Sequence, residues 1–216
     1  MRQIFKVKSV PHMAWSSPSP FKLLPRPLTL FYLCLGLMLF GLGEAILIAS
    51  HAGVSPWTVL ADGISRHTGW SIGFSTMIIS FCILILWIPL RQRPGIGTIL
   101  NALIIAFMID FSLPYLPQPS TLPWQLLQAC VGIFIVGLSS GIYLAANLGP
   151  GPRDGLMTGL QRVSGLPIAW VRIAIEVAAV TCGWYLGGAV GMGTLMFALG
   201  AGPCVAIGII LVRRYL

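Results

Sequence analysis

Asn147-Leu148-Gly149-Pro150-Gly151-Pro152-Arg153-Asp154-Gly155-Leu156 lies between two apolar runs, each long enough to cross a bilayer. Two glycines and two prolines forbid a straight helix through residues 149–152. Pro152 then opens a new helix, because the first helical position needs no N–H. That helix is polar at Arg153, Asp154, Thr158, Gln161 and Arg162 and apolar at Leu156, Met157, Leu160 and Val163. Gly165 ends it, far too soon to span. A charged, broken segment at a turn of a membrane chain marks a candidate binding site.

The same stretch has an echo 96 residues upstream. Gly149 lands on Gly53, Pro152 on Pro56, Leu156 on Leu60, Gly159 on Gly63, Arg162 on Arg66 and Gly165 on Gly69. Gly191, Gly193 and Thr194 land on Gly95, Gly97 and Thr98. Residues 36–103 and 132–199 share 19 identities in 68 positions without a gap. Chance matching of two such biased segments would give ~10%. The register therefore signals an internal duplication.

Composition fixes the class. Of 216 residues, 56% are hydrophobic and 8% charged, against roughly 25% charged in a soluble domain. The long apolar runs place the chain in a lipid bilayer. Thirteen basic residues outnumber five acidic ones, but they sit at the ends of apolar segments, as topology signals do, so no nucleic-acid partner is expected. The five cysteines lie inside apolar runs without a C-x-x-C, and the three histidines share no ligand spacing. No metal or cofactor is expected. No G-x-S-x-G, H-E-x-x-H or Walker loop occurs, so no enzyme is expected either.

The chain divides into a basic tail (1–27), read as disordered and cytosolic, a first membrane repeat (28–113), a proline-rich periplasmic linker (114–123) and a second membrane repeat (124–216). Spans are expected at about 28–50, 70–90, 97–113, 124–146, 167–186 and 194–212. The fold class is thus an all-α membrane protein of six transmembrane helices in two three-helix repeats, each with a short broken, amphipathic helix after its first span. Three spans per repeat reverse direction, so the repeats are inverted. With both termini in the cytosol, nearly every basic residue falls inside, Arg66 excepted. Glycines 36, 41 and 43 provide small faces for close helix approach.

Candidate site residues follow from the cost of intramembrane charge. Glu44 lies within the first span and must face the protein interior or be neutral. Ser55 is placed to cap the helix that starts at Pro56, and Asp62 pairs with Arg66 at i, i+4. Arg172 and Glu176 lie one turn apart in the fifth span. Four charges of balanced sign compensate one another only if they meet, so Arg153, Asp154, Arg172 and Glu176 are expected in one buried cluster between the repeats. Gly149 and Gly151 leave the backbone open to close approach, and the helix start supplies free N–H groups. The arginines suit a carboxylate, sulfonate or phosphate; the acids suit a cation or a proton.

The chain resembles the YczE/YyaS/YitT-like group of bacterial integral membrane proteins, in particular its YczE-like branch. The resemblance is carried by Gly53-Val54-Ser55-Pro56-Trp57, by Leu148 to Met157, by Arg172 with Glu176, by Gly183 to Gly188 with Gly191 to Thr194, and by Gly202-Pro203. Members of the group often have an acid after the S-P-W triplet; here Thr58 stands there. The resemblance implies a bacterial cytoplasmic-membrane protein and supplies no substrate. Architecture favours a small secondary transporter of an unidentified small solute; the alternative is a membrane regulator or assembly factor that carries no flux.

Overall fold

A computed structural model describes residues 13–22 and 24–216. The described chain is helical: α1 (Pro27–Ala49), α2 (Pro56–Thr68), α3 (Ile72–Trp87), α4 (Ile96–Ser112), α5 (Leu122–Ala145), α6 (Pro152–Ser164), α7 (Ile168–Tyr185) and α8 (Met192–Tyr215), with a 3-10 turn at Leu113–Tyr115. Five segments, α1, α4 with its 3-10 turn, α5, α7 and α8, are long and apolar enough to cross a membrane. The expected second span is shorter than the sequence suggests. Isoleucine 72 to Trp87 is 16 residues, about 24 Å at 1.5 Å per residue. It reaches spanning length only together with α2, from which it turns by 114°.

Proline and glycine set the boundaries. Proline stands at the first or second helical position of α1, α2, α5 and α6, where its missing N–H is harmless. Left-handed glycines end both short helices, Gly69 at φ 74° and Gly165 at φ 70°. The 96-residue offset recurs in the helix bounds. It relates α2 to α6 at both ends, and it links the starts of α3 and α7, the starts of α4 and α8, and the ends of α1 and α5.

The two halves also touch reciprocally. Gly97 N–H donates to Leu148 O at 2.8 Å, and Gly193 N–H donates to Ala52 O at 2.7 Å. Each bond maps onto the other by the same offset. Gly53 (φ 110°) and Gly149 (φ 108°) form these crossings. A Cβ on Gly53 would lie 2.6 Å from Gly191 N, and one on Gly149 would lie 2.8 Å from Thr98 Oγ1. Glycine is required there by both conformation and space.

Small residues let the long helices close. A Cβ on Gly36 would meet Tyr143 N at 2.8 Å, one on Gly41 Met108 Cβ at 2.6 Å and one on Gly43 Val136 Cγ2 at 2.8 Å. α1 thus packs tightly on α5 and α4, and α5 packs on α8. The short helices cross between halves, α2 on α7 and α6 on α3. One relation fails to repeat: α3 packs along α4, whereas α7 and α8 hardly touch.

The tail does not behave as a disordered segment over the residues described. Trp15 is buried and stacks on Tyr32 at 4.5 Å. Ser16 Oγ donates to Ala145 O at 2.5 Å, and Asn147 Nδ2 donates to Ser17 O at 2.8 Å. The Ser16 bond, with Ser17 N–H donating to Ala146 O at 3.0 Å, supplies donors to carbonyls at the open end of α5. Charge and proline count point to disorder here, but the single tryptophan, Trp15, anchors the segment to α1. Residues 1–12 lie outside the described part.

Candidate functional site

A cavity of about 370 Å³ lies between the halves, and all eight helices contribute to its wall. Its charged and polar lining comprises Arg153, Asp154, Arg172, Glu176, Asn101 and Tyr143, with Thr76, Ser80 and Ser140. Phe40, Trp57 and Phe197 supply aromatic surface. The offset of 96 pairs many of these positions: Phe40 with Val136, Trp57 with Arg153, Thr76 with Arg172, Ser80 with Glu176, Asn101 with Phe197, and Ile105 with Ala201. The cavity is therefore lined from both halves at positions related by the same offset.

The starts of α2 and α6 converge on this cavity. Arg153, the second residue of α6, stacks over the ring of Trp57, the second residue of α2, at 5.3 Å. Two helix N-termini, each with a partial positive charge, thus face the same space. Among the described residues no carboxylate lies within 4.0 Å of the Arg153 guanidinium. The neighbouring Asp154 is engaged otherwise: Tyr143 Oη donates to its Oδ2 at 3.0 Å. Gly151 lines the cavity because its missing side chain leaves room for Asp154 Oδ2, 3.2 Å from a would-be Cβ, and for Asn101 Nδ2 at 3.4 Å.

Arg172 and Glu176 form the i, i+4 pair expected on α7, Nε to Oε1 at 2.8 Å. The four expected charges thus border one cavity. The cluster is less closed than anticipated. The Arg172 side chain keeps 47% of its surface exposed, and with exposed Gly202 it forms a rim where α7 and α8 part. Arg172 pairs with Glu176, whereas Asp154 turns to Tyr143 and Arg153 is left without a carboxylate within 4.0 Å among the described residues. Pro203 follows Gly202 inside α8, where it removes a backbone hydrogen bond.

Behind Trp57 lies Glu44, 1% exposed and outside the cavity lining. Its Oε2 is 2.8 Å from Thr58 Oγ1 and 3.0 Å from Ser55 Oγ, and the two hydroxyl oxygens are 2.8 Å apart. Its Oε1 has no partner among the described residues. Ser55 occupies the cap position of α2 but makes no side-chain cap bond. Its hydroxyl is turned to Glu44 instead, which corrects the expected capping role.

Two further site candidates fall elsewhere. Asp62 accepts from Ala189 N at 2.7 Å and from Arg66 Nε at 3.1 Å, so it staples the α7–α8 turn and does not reach the cavity. Gly149 serves the crossing with α4, again outside the cavity. The sequence reading missed Tyr143, Thr76, Ser80 and Ser140. The repeat itself held the signal for two of them, since Thr76 and Ser80 stand 96 residues before Arg172 and Glu176. Among the described residues no group of three or more His, Cys, Asp and Glu side chains is placed to hold a metal, and the five cysteines are unbridged.

Residues 28–209 match the Family of unknown function (DUF6198). The chain belongs to this family. It is 34% identical over 209 residues to an uncharacterized protein of Haemophilus influenzae, covering 97% of this chain and 95% of that one. It is 33% identical over 170 residues to the uncharacterized membrane protein YczE of Bacillus subtilis, covering 76% and 77%. YyaS of the same organism is 26% identical over 188 residues, covering 85% and 94%. The YczE-like resemblance carried by the broken segments holds, and the protein is a multi-pass membrane protein. No solved structure matches the chain significantly.

Proposed function

We propose that the protein is a secondary transporter of a small anion, working by alternating access at the interface of two inverted repeats. The observation that carries this reading is Arg153. It borders a cavity between the repeats, faces two helix N-termini, and has no carboxylate within 4.0 Å among the described residues. Asp154 and Glu176 already accept from Tyr143 and Arg172, so the hydrogen-bond donors left free for a ligand are those of Arg153. Trp57 Nε1 beside it also lacks an acceptor among the described residues. Half-helix N-termini aimed at an anionic group near the midplane are a recurrent device of such carriers. Aromatic walls from Phe40, Trp57 and Phe197 suit an anion with an apolar body.

The same reading places the protein in the bacterial cytoplasmic membrane, six spans deep with α3 the shortest, both termini cytosolic and the 114–123 linker periplasmic. It assigns the chain no enzymatic step. Cysteines introduced at 118 and 213 should label from opposite sides, 118 from outside; labelling of 213 from outside would reverse the orientation. The regulatory alternative calls for a polar cytosolic patch from Arg153 to Arg162. Arg153 instead borders the cavity, apart from the groove that Gln92, Thr158, Gln161 and Arg162 line.

The test is uptake into proteoliposomes across small carboxylates, sulfonates and phosphates, with amino acids and inorganic cations as controls. An anion should enter, and Arg153→Gln should reduce its entry about 10–100-fold, the weight of one or two charge-assisted hydrogen bonds. Entry of cations alone, or full activity of Arg153→Gln, would reject the anion reading.

A further inference from the structure

We infer that Glu44 is a proton-binding site that competes with the transported anion for Arg153, so that the protein carries the anion together with a proton. This rests on the anion reading of the cavity and adds the coupling ion.

Hydrogen counting comes first. Glu44 Oε2, Ser55 Oγ and Thr58 Oγ1 form a closed triangle with sides of 2.8, 2.8 and 3.0 Å. Three O···O contacts this short need three hydrogens, since two oxygens without a hydrogen between them repel. Each hydroxyl supplies one hydrogen. The third is on Glu44. Its other oxygen, Oε1, is buried without a partner among the described residues; that position suits the carbonyl of a neutral acid far better than half of an ionised carboxylate.

The surroundings name what the proton controls. Arg153, from α6, stacks at 5.3 Å over Trp57, which stands between the two residues, Ser55 and Thr58, that hold Glu44. From α2 come the two uncharged hydroxyls. On α4, Asp110 is taken by Ser71 Oγ and Gly73 N–H. On α5, Tyr143 is committed to Asp154. With Glu44 neutral, Arg153 has no negative partner within 4.0 Å and is open to an anion from the cavity. Asp154 borders the cavity beside Arg153 in either state; with Glu44 ionised, a second carboxylate offsets the charge of Arg153, and the anion loses part of its attraction. Proton and anion therefore favour each other's binding, and by linkage the effect is reciprocal.

The sign follows. The anion binds well while Glu44 holds its proton. Its apparent affinity falls as pH rises through the titration of Glu44, by up to about tenfold per pH unit for one coupled proton. Glu44→Gln keeps a neutral side chain whose amide can supply the third hydrogen. It should bind the anion with a flat pH profile.

Two measurements on the full chain in lipid test this. Infrared spectra at neutral pH should show the carbonyl stretch of a protonated carboxyl that Glu44→Gln removes; a spectrum without that band overturns the proton site. In proteoliposomes holding a trapped pH dye, an inward gradient of benzenesulfonate should acidify the lumen in step with its entry. This permanent anion has no neutral form at these pH values and so cannot itself carry a proton across, and potassium with valinomycin on both sides clamps the potential that would otherwise draw protons through the lipid. Glu44→Gln should admit benzenesulfonate without acidification. Entry without protons in the wild type overturns the coupling. No benzenesulfonate entry, with no other anion carried in the uptake panel, overturns the anion reading and the coupling with it, while the infrared band still decides the state of Glu44.

Discussion

The two halves share one backbone plan and place their chemistry in opposite hands. In the first half the acid is on the long helix, Glu44 of α1, and the hydroxyl that meets it is on the short one, Thr58 of α2. In the second half the acid is on the short helix, Asp154 of α6, and the hydroxyl is on the long one, Tyr143 of α5. Thr58 and Asp154 are the same position of the repeat. Packing shows a similar exchange. Where α3 crosses α6, the large side chain is Trp87 and the hole is Gly155. Where α7 crosses α2, Gly183 stands at the Trp87 position and Val59 at the Gly155 position, with a would-be Cβ on Gly183 only 2.5 Å from Leu60 N. A duplicated chain that must pack on itself cannot use two large or two small residues at one crossing. Divergence into complementary sizes solves that, and leaves the two halves free to differ in charge.

The largest effect should come from forcing the α3–α6 crossing. A side chain at Gly155 would run into the Trp87 indole, which is 1% exposed and donates through Nε1 to Pro152 O at 3.0 Å. Gly155→Val should cost about 3 kcal/mol or more, enough to strip most folded protein from detergent extracts analysed by size exclusion. Trp87→Gly alone should lose a comparable amount, about 3–5 kcal/mol, through the cavity it leaves. The double change recreates the size pattern of the α2–α7 crossing and should recover much of the loss. A Gly155→Val protein as abundant as the wild type would show that complementary size does not hold the halves together.

Much of this plan was legible in sequence. Prolines and glycines at a fixed offset of 96 mark where helices must break, because backbone limits do not depend on neighbours. The charges of the second half could be grouped, because isolated intramembrane charges are too costly to scatter. What stayed hidden depends on side-chain direction. Ser55 read as a cap because caps are local, yet its hydroxyl goes to a carboxylate eleven residues back. Asp62 read as a site residue, yet it bonds Ala189, 127 residues away. Tyr143 is one of many large residues on an apolar helix, and only the position of Asp154 singles it out.

The intermediate effect concerns Arg172 and Glu176, which stand where the first half has Thr76 and Ser80. Arg172→Met or Glu176→Leu alone leaves one charge unpaired at the cavity rim and should cost about 1–2 kcal/mol, less than in a dry core because the arginine is half exposed. The double change should restore abundance. It should also remove the charges that the first half lacks at these positions and reduce anion uptake, roughly tenfold. An abundant double mutant with full uptake would confine the functional asymmetry to Arg153 and Asp154.

The smallest effect should separate Asp62 from Thr158, its counterpart in the repeat. Asp62 holds the α7–α8 turn from a distance, by accepting the Ala189 N–H at 2.7 Å while Arg66 balances its charge. Thr158 Oγ1 bonds only within its own helix, to Gly155 O at 3.1 Å, and such a bond to the preceding turn contributes little. Asp62→Ala leaves a part-buried amide without its acceptor, worth about 1 kcal/mol or somewhat more. Thr158→Val should stay within about 0.5 kcal/mol, as surface changes usually do. Hydrogen exchange is the sharper measurement, because the loss is local. Amides of residues 187–191 should exchange faster in Asp62→Ala, while the α3–α4 turn in Thr158→Val should exchange at the wild-type rate. Since α7 and α8 hardly touch elsewhere, this turn is their main link. Equal protection in both variants would mean that the α7–α8 gap, and the cavity rim it forms, is held by something other than Asp62.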